Sequence, residues 1–382
     1  MRLTSITADG FKNLKQVQFQ PCPHYNLIIG ENAQGKTNFL EAVWMMTGCR
    51  SFRGTRERDY LSTDGTPLHV EITFHDGRRE QVLTCDMPSL KERKFTCNGI
   101  PIQKMGELFH AFHCIAFTPE DIALVNGTPD VRRNFLDLSL SQIQPHCLDL
   151  VRRYQLILSH RNAVLRQPVS TVQREAALDI WDVQLAAAGA ELAAQRANYV
   201  QMLAETCVPL YQEIAAQKEA LQIRYHANVY GESPDLPEHA DRTMQEQYQK
   251  RLLAARENDL QLGFTSVGVH RDELVLKLNE QPARTFGSQG QKKSLSLALR
   301  LSQAALYGKR YQASPILLLD DVMGELDAGR QQVVYTVIQD MQVFLTTCHA
   351  ESLIDAVQGE RLYLHNGRRV LRNNIRNFIW HK

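Results

Sequence analysis

Gly30-Glu-Asn-Ala-Gln-Gly-Lys-Thr37 satisfies G-x-x-x-x-G-K-[ST] at every fixed position. The strand-like Tyr25–Ile29 precedes it and the helical pattern Asn38–Trp44 follows, which is the strand–loop–helix setting the motif needs. Gly30 and Gly35 let the backbone wrap a polyphosphate, so that the amides of Glu31, Asn32, Ala33 and Gln34 and the helix start face the anion. Lys36 is placed to reach the β and γ phosphates of ATP, and the Thr37 hydroxyl to ligate Mg²⁺. A chance match in a chain of 382 residues is on the order of one per cent.

Such a site needs a second half. Ser314-Pro-Ile-Leu-Leu-Leu-Asp-Asp321 supplies an apolar strand ending in two carboxylates. Asp320 is the expected Mg²⁺ ligand, and Asp321 the group that polarises water at the γ-phosphate. Lys36 and Asp320 are 284 positions apart, too far for one compact nucleotide-binding domain. A large segment must therefore be inserted into, or hung from, a split ATPase head.

Ser288-Gln-Gly-Gln291 opens the helical stretch Leu295–Leu301 shortly before that strand. It resembles the signature loop Leu-Ser-Gly-Gly-Gln of ABC-type ATPases, with Gly287 and Gln289 departing from the pattern and Ser288, Gly290 and Gln291 retained. A helix N-cap is the alternative reading of Ser288. After Asp321, Val322–Asp327 looks like a D-loop, and Val343–His349 like a strand ending in a switch histidine.

Three regions separate by pattern: strands and short helices over 1–128, a helix-rich segment over 129–261, and renewed alternation over 262–382. The expected fold is α/β, an ABC-type head split between the outer regions, with the middle region as an inserted helical arm. Two ladders at spacings of three and four run through the middle. One is Leu140, Ile143, Cys147, Leu150, Tyr154, Ile157 and Val164, broken at Arg161. The other is Leu178, Trp181, Leu185, Ala188, Leu192, Tyr199 and Met202, broken at Gln195. Pro168 between them suggests an antiparallel hairpin of ~25-residue helices, roughly 37 Å long. A protruding arm and ordinary packing in a globular lobe both satisfy the pattern.

Lys and Arg number 43 against 42 Asp and Glu, which excludes a polycation. The regions differ: 14 positive against 14 negative residues, then 14 against 17, then 15 against 11. Arg50, Arg53, Arg56 and Arg58 cluster near the nucleotide motif, and Arg368, Arg369, Arg372, Arg376 and Lys382 near the end. No apolar run approaches the ~20 residues of a membrane helix, and no signal peptide is present, so a cytoplasmic protein is expected. Eight cysteines without a C-x-x-C pair argue for free thiols and against a zinc ribbon.

The chain resembles the bacterial RecF family along its whole length. Phe117-Thr-Pro-Glu-Asp-Ile122, Asn126–Asp137, Ser159-His-Arg-Asn-Ala-Val-Leu165 and Gly268-Val-His-Arg-Asp272 carry the likeness beyond the ATPase motifs. The family usually has Pro where Val269 stands. The resemblance implies an ABC-type head with a short arm, and an ATP-dependent homodimer that sandwiches nucleotide between the phosphate-binding loop of one subunit and the signature loop of the other. It implies binding to duplex DNA and single/double-strand junctions and action with RecR and RecO in loading RecA. Slow ATP hydrolysis, used as a switch, is expected separately from Asp321 standing where many ABC ATPases place Glu. A transporter subunit would be more compact. A P-loop nuclease would need more than the 61 residues after Asp321 for its metal domain. A small-molecule kinase would have no use for Ser288–Gln291.

Overall fold

The computed structural model describes residues 1–371 apart from Arg50, Thr55, Lys91, 168–170, Ser233 and 349–357. The chain divides into two compact units, Met1–Asp121 with Tyr307–Lys382, and Ile122–Leu306.

Among the described residues the first unit contains two six-stranded sheets. One is an antiparallel sheet built around Arg2–Asp9, Leu68–His75 and Glu80–Met87. Leu68–His75 alternates buried and half-buried positions, as a sheet with one face on a core should. Its far edge is the hairpin of Lys94–Cys97 and Ile100–Pro101, turned by Asn98 and Gly99, both at positive φ (51° and 77°). The other sheet holds the nucleotide motifs. The P-loop strand Tyr25–Ile29, the intervening strand Gln342–Thr347, the Asp-Asp strand Ile316–Leu319 and Cys114–Phe117 run parallel in that spatial order. Ile316–Leu319 and Gln342–Thr347 are buried at every position, the mark of parallel strands covered on both faces.

The described residues of the second unit are helical with a small four-stranded sheet. The first ladder is not one helix. Pro129–Ile143 ends at Gln144 and His146–Arg166 starts afresh, because Pro145 drives the residue before it out of the helical region (Gln144 φ −132°, ψ 88°). The second ladder lies on Thr171–Ile214, at 44 residues well beyond the expected length. Arg242–Leu262 packs on it as a third helix, so the pair read from sequence is part of a larger bundle. Both ladder breaks are buried. Arg161 is fully enclosed, its Nε bonded to Asp182 (2.6 Å) and its Nη1 to Asp259 (2.7 Å) and Thr265 (2.8 Å). The Gln195 Nε2 donates to the Glu238 carbonyl at 2.8 Å.

The boundaries at 128/129 and 261/262 differ from those of the compact units. Residues 262–306 group with the helices, because Glu273–Leu278 pairs along its full length with Leu221–Ala227.

In the first unit, His113 sits among Phe109, Tyr307 and Tyr311, with its Nδ1 unpartnered among the described residues. Burial pushes its pKa down from 6.5 to about 4. Between those values the unfolded chain takes up a proton that the folded one refuses. Stability is therefore lost as pH falls below 6.5, by about 1.4 kcal/mol per unit and roughly 3 kcal/mol by pH 4. His113→Phe should abolish that contribution. Urea denaturation of both proteins at pH 7 and pH 5 should show the variant gaining on the wild type at the lower pH; an unchanged difference would refute it.

Candidate functional site

The turn from strand to helix in the first unit is set by two glycines. Gly35 has φ 106°, where a side chain is strained, and precedes the helix Lys36–Met45. A Cβ on Gly30 would stand 2.6 Å from the Leu364 carbonyl oxygen. Ala33 also has positive φ (62°). The loop is braced from outside its own segment: Asn13 Nδ2 donates to the Ala33 carbonyl (3.2 Å) and the Gly367 N–H to the Gln34 carbonyl (3.1 Å). Glu31, Asn32 and Ala33 are exposed, while Gly35 and Lys36 are buried. The Lys36 ammonium donates to the carbonyls of Gly30 (2.8 Å) and Glu31 (3.0 Å) and meets Cys348 Sγ at 2.9 Å.

The two halves that lie so far apart in sequence meet here. Thr37 Oγ1 donates to Asp320 Oδ1 at 3.0 Å. Asp320 leaves the end of its strand, its N–H bonded to the Phe117 carbonyl (2.9 Å) on the neighbouring strand. It is 7% exposed, and burial raises its pKa above the usual carboxylate range against the opposing pull of the Thr346 and Thr37 hydroxyls. Asp321 is exposed, and its backbone is left-handed at φ 53°, a region an aspartate tolerates better than most residues.

Both halves line one cleft of about 860 Å³. Its walls add Lys12, Asn13, Arg53 and Asn366, none of which the motifs pointed to as cleft residues except Arg53, through its cluster. Lys12 lies close to Phe11 and Tyr60 and pairs with the buried Glu41. Lys36 on the glycine-shaped loop, with Lys12, Lys15 and Arg53 on the cleft walls, suits a polyphosphate. Thr37 and Asp320 offer two hard oxygens at one spot, and the hydrogen bonds Asp320 receives come from neutral hydroxyls. That donor set suits Mg²⁺, which takes one or two carboxylates and completes its shell with phosphate oxygens and water.

Ser288, Gly290 and Gln291 lie in the second unit. The Ser288 Oγ accepts the Gln291 N–H (3.2 Å) and Gln291 Oε1 accepts the Ser288 N–H (2.7 Å), a reciprocal cap on the helix Gln289–Tyr311. The N-cap reading of Ser288 therefore holds, and the cap leaves Ser288 exposed at a helix start. Asp327 likewise caps the helix Ala328–Ile338 through the Arg330 N–H. His349, Arg50, Arg372, Arg376 and Lys382 lie outside the described residues. Among the described residues no helix is long and apolar enough to cross a membrane.

The chain matches the model of the RecF/RecN/SMC N-terminal domain over residues 2–369. It is 33% identical over 373 residues to the DNA replication and repair protein RecF of Geobacillus thermodenitrificans, covering 96% of this chain and 98% of that protein. With the protein of the same description from Alkaliphilus oremlandii it shares 32% over 360 residues, 94% of this chain and 97% of the other. Among solved structures, the recombination mediator protein RecF with ATP, in the RecFOR pathway, superimposes with a TM-score of 0.85 at 30% identity, covering 96% and 98% of the two chains. An Smc head domain from Pyrococcus furiosus, with an extended coiled coil and bound to the C-terminal domain of ScpA, gives 0.55 at 11% identity, covering 99% and 98%, a likeness of fold alone.

Proposed function

Since the chain belongs to the RecF family of DNA replication and repair proteins, we propose that it is an ATP-switched recombination mediator. In this reading an ATP-bound homodimer binds duplex DNA and single/double-strand junctions and acts with RecO and RecR in loading RecA. One observation carries the reading. The phosphate-binding loop and the Asp-Asp strand close on one cleft of the first unit, while the exposed start of the Ser288–Gln291 helix belongs to the second. A helix start is an anion site, and ABC-type heads use it on the partner's nucleotide.

The roles follow from chemistry. Lys36 leaves the loop carbonyls for the β and γ phosphates, which are stronger acceptors for an ammonium. Thr37 and Asp320 would hold Mg²⁺, which when bound neutralises charge on the phosphates. Asp321 orients the attacking water, and Ser288, Gly290 and Gln291 close over the γ-phosphate from the other subunit. His349 keeps the role of switch histidine that the resemblance gives it. Of the sequence segments 1–128, 129–261 and 262–382, the first supplies Lys36 and the last Ser288, Asp320 and Asp321, with Ser288 falling in the helical compact unit.

The test is whether ATP, but not ADP, makes the protein dimerise and retain DNA, scored by light scattering and gel shift on duplex, single-stranded and gapped DNA. Arg53, Arg56 and Arg58 are exposed, and affinity should fall by ~0.9 log unit per log salt for each phosphate contact. Dimerisation indifferent to nucleotide would contradict the proposal.

Hydrolysis should be slow, below the enzyme median of ~10 s⁻¹, because Asp321 is one methylene shorter than the Glu many ABC ATPases use. Asp321→Asn keeps the side-chain shape and tolerates the left-handed backbone. It should lower phosphate release about 100-fold or more, leave ATP affinity nearly unchanged and prolong the DNA-bound dimer. Loss of ATP binding in that variant would reverse the assignment of the two aspartates.

A further inference from the structure

Thr346, on the intervening strand, touches both aspartates. Its Oγ1 donates to Asp320 Oδ1 at 2.8 Å and accepts the Asp321 N–H at 2.8 Å. A hydroxyl has one proton and two lone pairs, so the two bonds coexist with fixed polarity. We propose that Thr346 is a positioning residue for the nucleotide site. It aims the Asp320 carboxylate toward the metal-binding position and pins the left-handed turn from which Asp321 projects. The inference rests on the ATP-switch reading and deepens it.

Three observations separate this contact from an incidental one. Thr346 is 3% exposed on a strand hydrogen-bonded on both sides, with Thr346 in register with Ile28 and Leu345 with Leu319. Its hydroxyl is therefore held by the sheet, and a β-branched side chain is stiff at χ1. The other hydroxyl on Asp320 belongs to Thr37, which the metal would claim. Thr346 is the donor that remains on Asp320 in both states. Finally, a non-glycine residue at φ 53° persists only where its surroundings over-determine it. The bond from the Asp321 N–H to Thr346 is such a determinant.

The same side of the strand reaches the other half of the site. Cys348 follows Thr346 by two residues, the side-chain repeat of a strand. Its Sγ meets Lys36 Nζ at 2.9 Å and Asn32 Oδ1 at 3.0 Å. The end of this strand and the residue just past it thus contact Lys36 and both aspartates.

The experiment compares Thr346→Val, which keeps the shape and removes the hydroxyl, with Thr346→Ser, which keeps the hydroxyl. ATP binding is measured by calorimetry across a Mg²⁺ titration, and hydrogen exchange of the Asp321 amide is followed in nucleotide-free protein. Valine should raise the Mg²⁺ needed for half-maximal ATP binding by about 10–100-fold, the usual cost of losing a residue that orients a metal ligand, while serine stays within about 3-fold. The Asp321 amide should exchange faster with valine and at the wild-type rate with serine. Should valine disturb the strand, Thr346→Ala gives the same comparison. Unchanged Mg²⁺ dependence and unchanged exchange in the variants lacking the hydroxyl would overturn the inference. A wild type that binds no ATP at any Mg²⁺ concentration would instead overturn the ATP-switch reading, and the amide exchange would still decide whether Thr346 holds the turn.

Discussion

Arg161→Leu, the substitution that would mend the apolar ladder, should destabilise the helical unit by about 3–5 kcal/mol. Arg161 bonds Asp182, Asp259 and Thr265 with no exposed side-chain surface on it or on either carboxylate. Leucine would leave Asp259 buried without its cation. Asp182 would keep Arg256, at 2.6 Å, as its cation among the described residues. Burying a leucine contributes about 1.5–3 kcal/mol, which does not offset a buried carboxylate left without its cation. Arg152→Leu on the exposed face of the same helix is the control and should stay within about 0.5 kcal/mol. Urea denaturation of the three proteins at pH 7 is sufficient. Equal stability of Arg161→Leu and wild type would mean that the buried network contributes nothing beyond its volume.

Mixing two inactive variants should restore activity that neither has. Lys36→Met removes the phosphate cation and Ser288→Arg obstructs the exposed helix start, so each homodimer is defective at both of its sites. In a mixed dimer with composite sites, one site carries both defects and the other carries none. Random exchange at equal concentrations makes half the dimers mixed, so about a quarter of all sites should work in a symmetric two-site assembly. If Ser288 acted on its own chain's nucleotide, every site in the mixed dimer would hold one defect and nothing would return. Phosphate release across a titration of the ratio, with both variants folded and subunit exchange shown by a tagged chain, decides between the two. A flat zero would remove the sandwich dimer from the mechanism.

Much of the site was legible because its requirements are local. The turn needs Gly35 at positive φ and the helix needs its start at Lys36, and both are consecutive in sequence. Ile316–Leu319 reads as a buried strand from its apolar run alone, and the two aspartates at its end follow. The pairing of Asp320 with Thr37 could be expected from chemistry, since a phosphate-bound metal needs both oxygens. The hairpin at Asn98-Gly99 was legible for the same reason, as its turn chemistry is contained in two residues.

Sequence alone therefore determined the elements whose causes lie within a few residues: the glycine-shaped loop of residues 30–37, the Asp-Asp strand, the cap at Ser288 and the α/β class. Tertiary structure decided what depends on residues far apart in the chain. Arg161 and Gln195 read as interruptions in apolar ladders, yet both are buried, Arg161 by partners 21, 98 and 104 positions away. Thr346 looked like one more strand residue until the sheet order set it beside Asp320 and Asp321. Residues 262–306 went with the helices once Glu273–Leu278 found its partner strand. The physical reason is common to all three. A polar group inside a fold is stable only with its hydrogen-bond partners, and which partners those are is settled by the packing of elements, after local preferences have been spent.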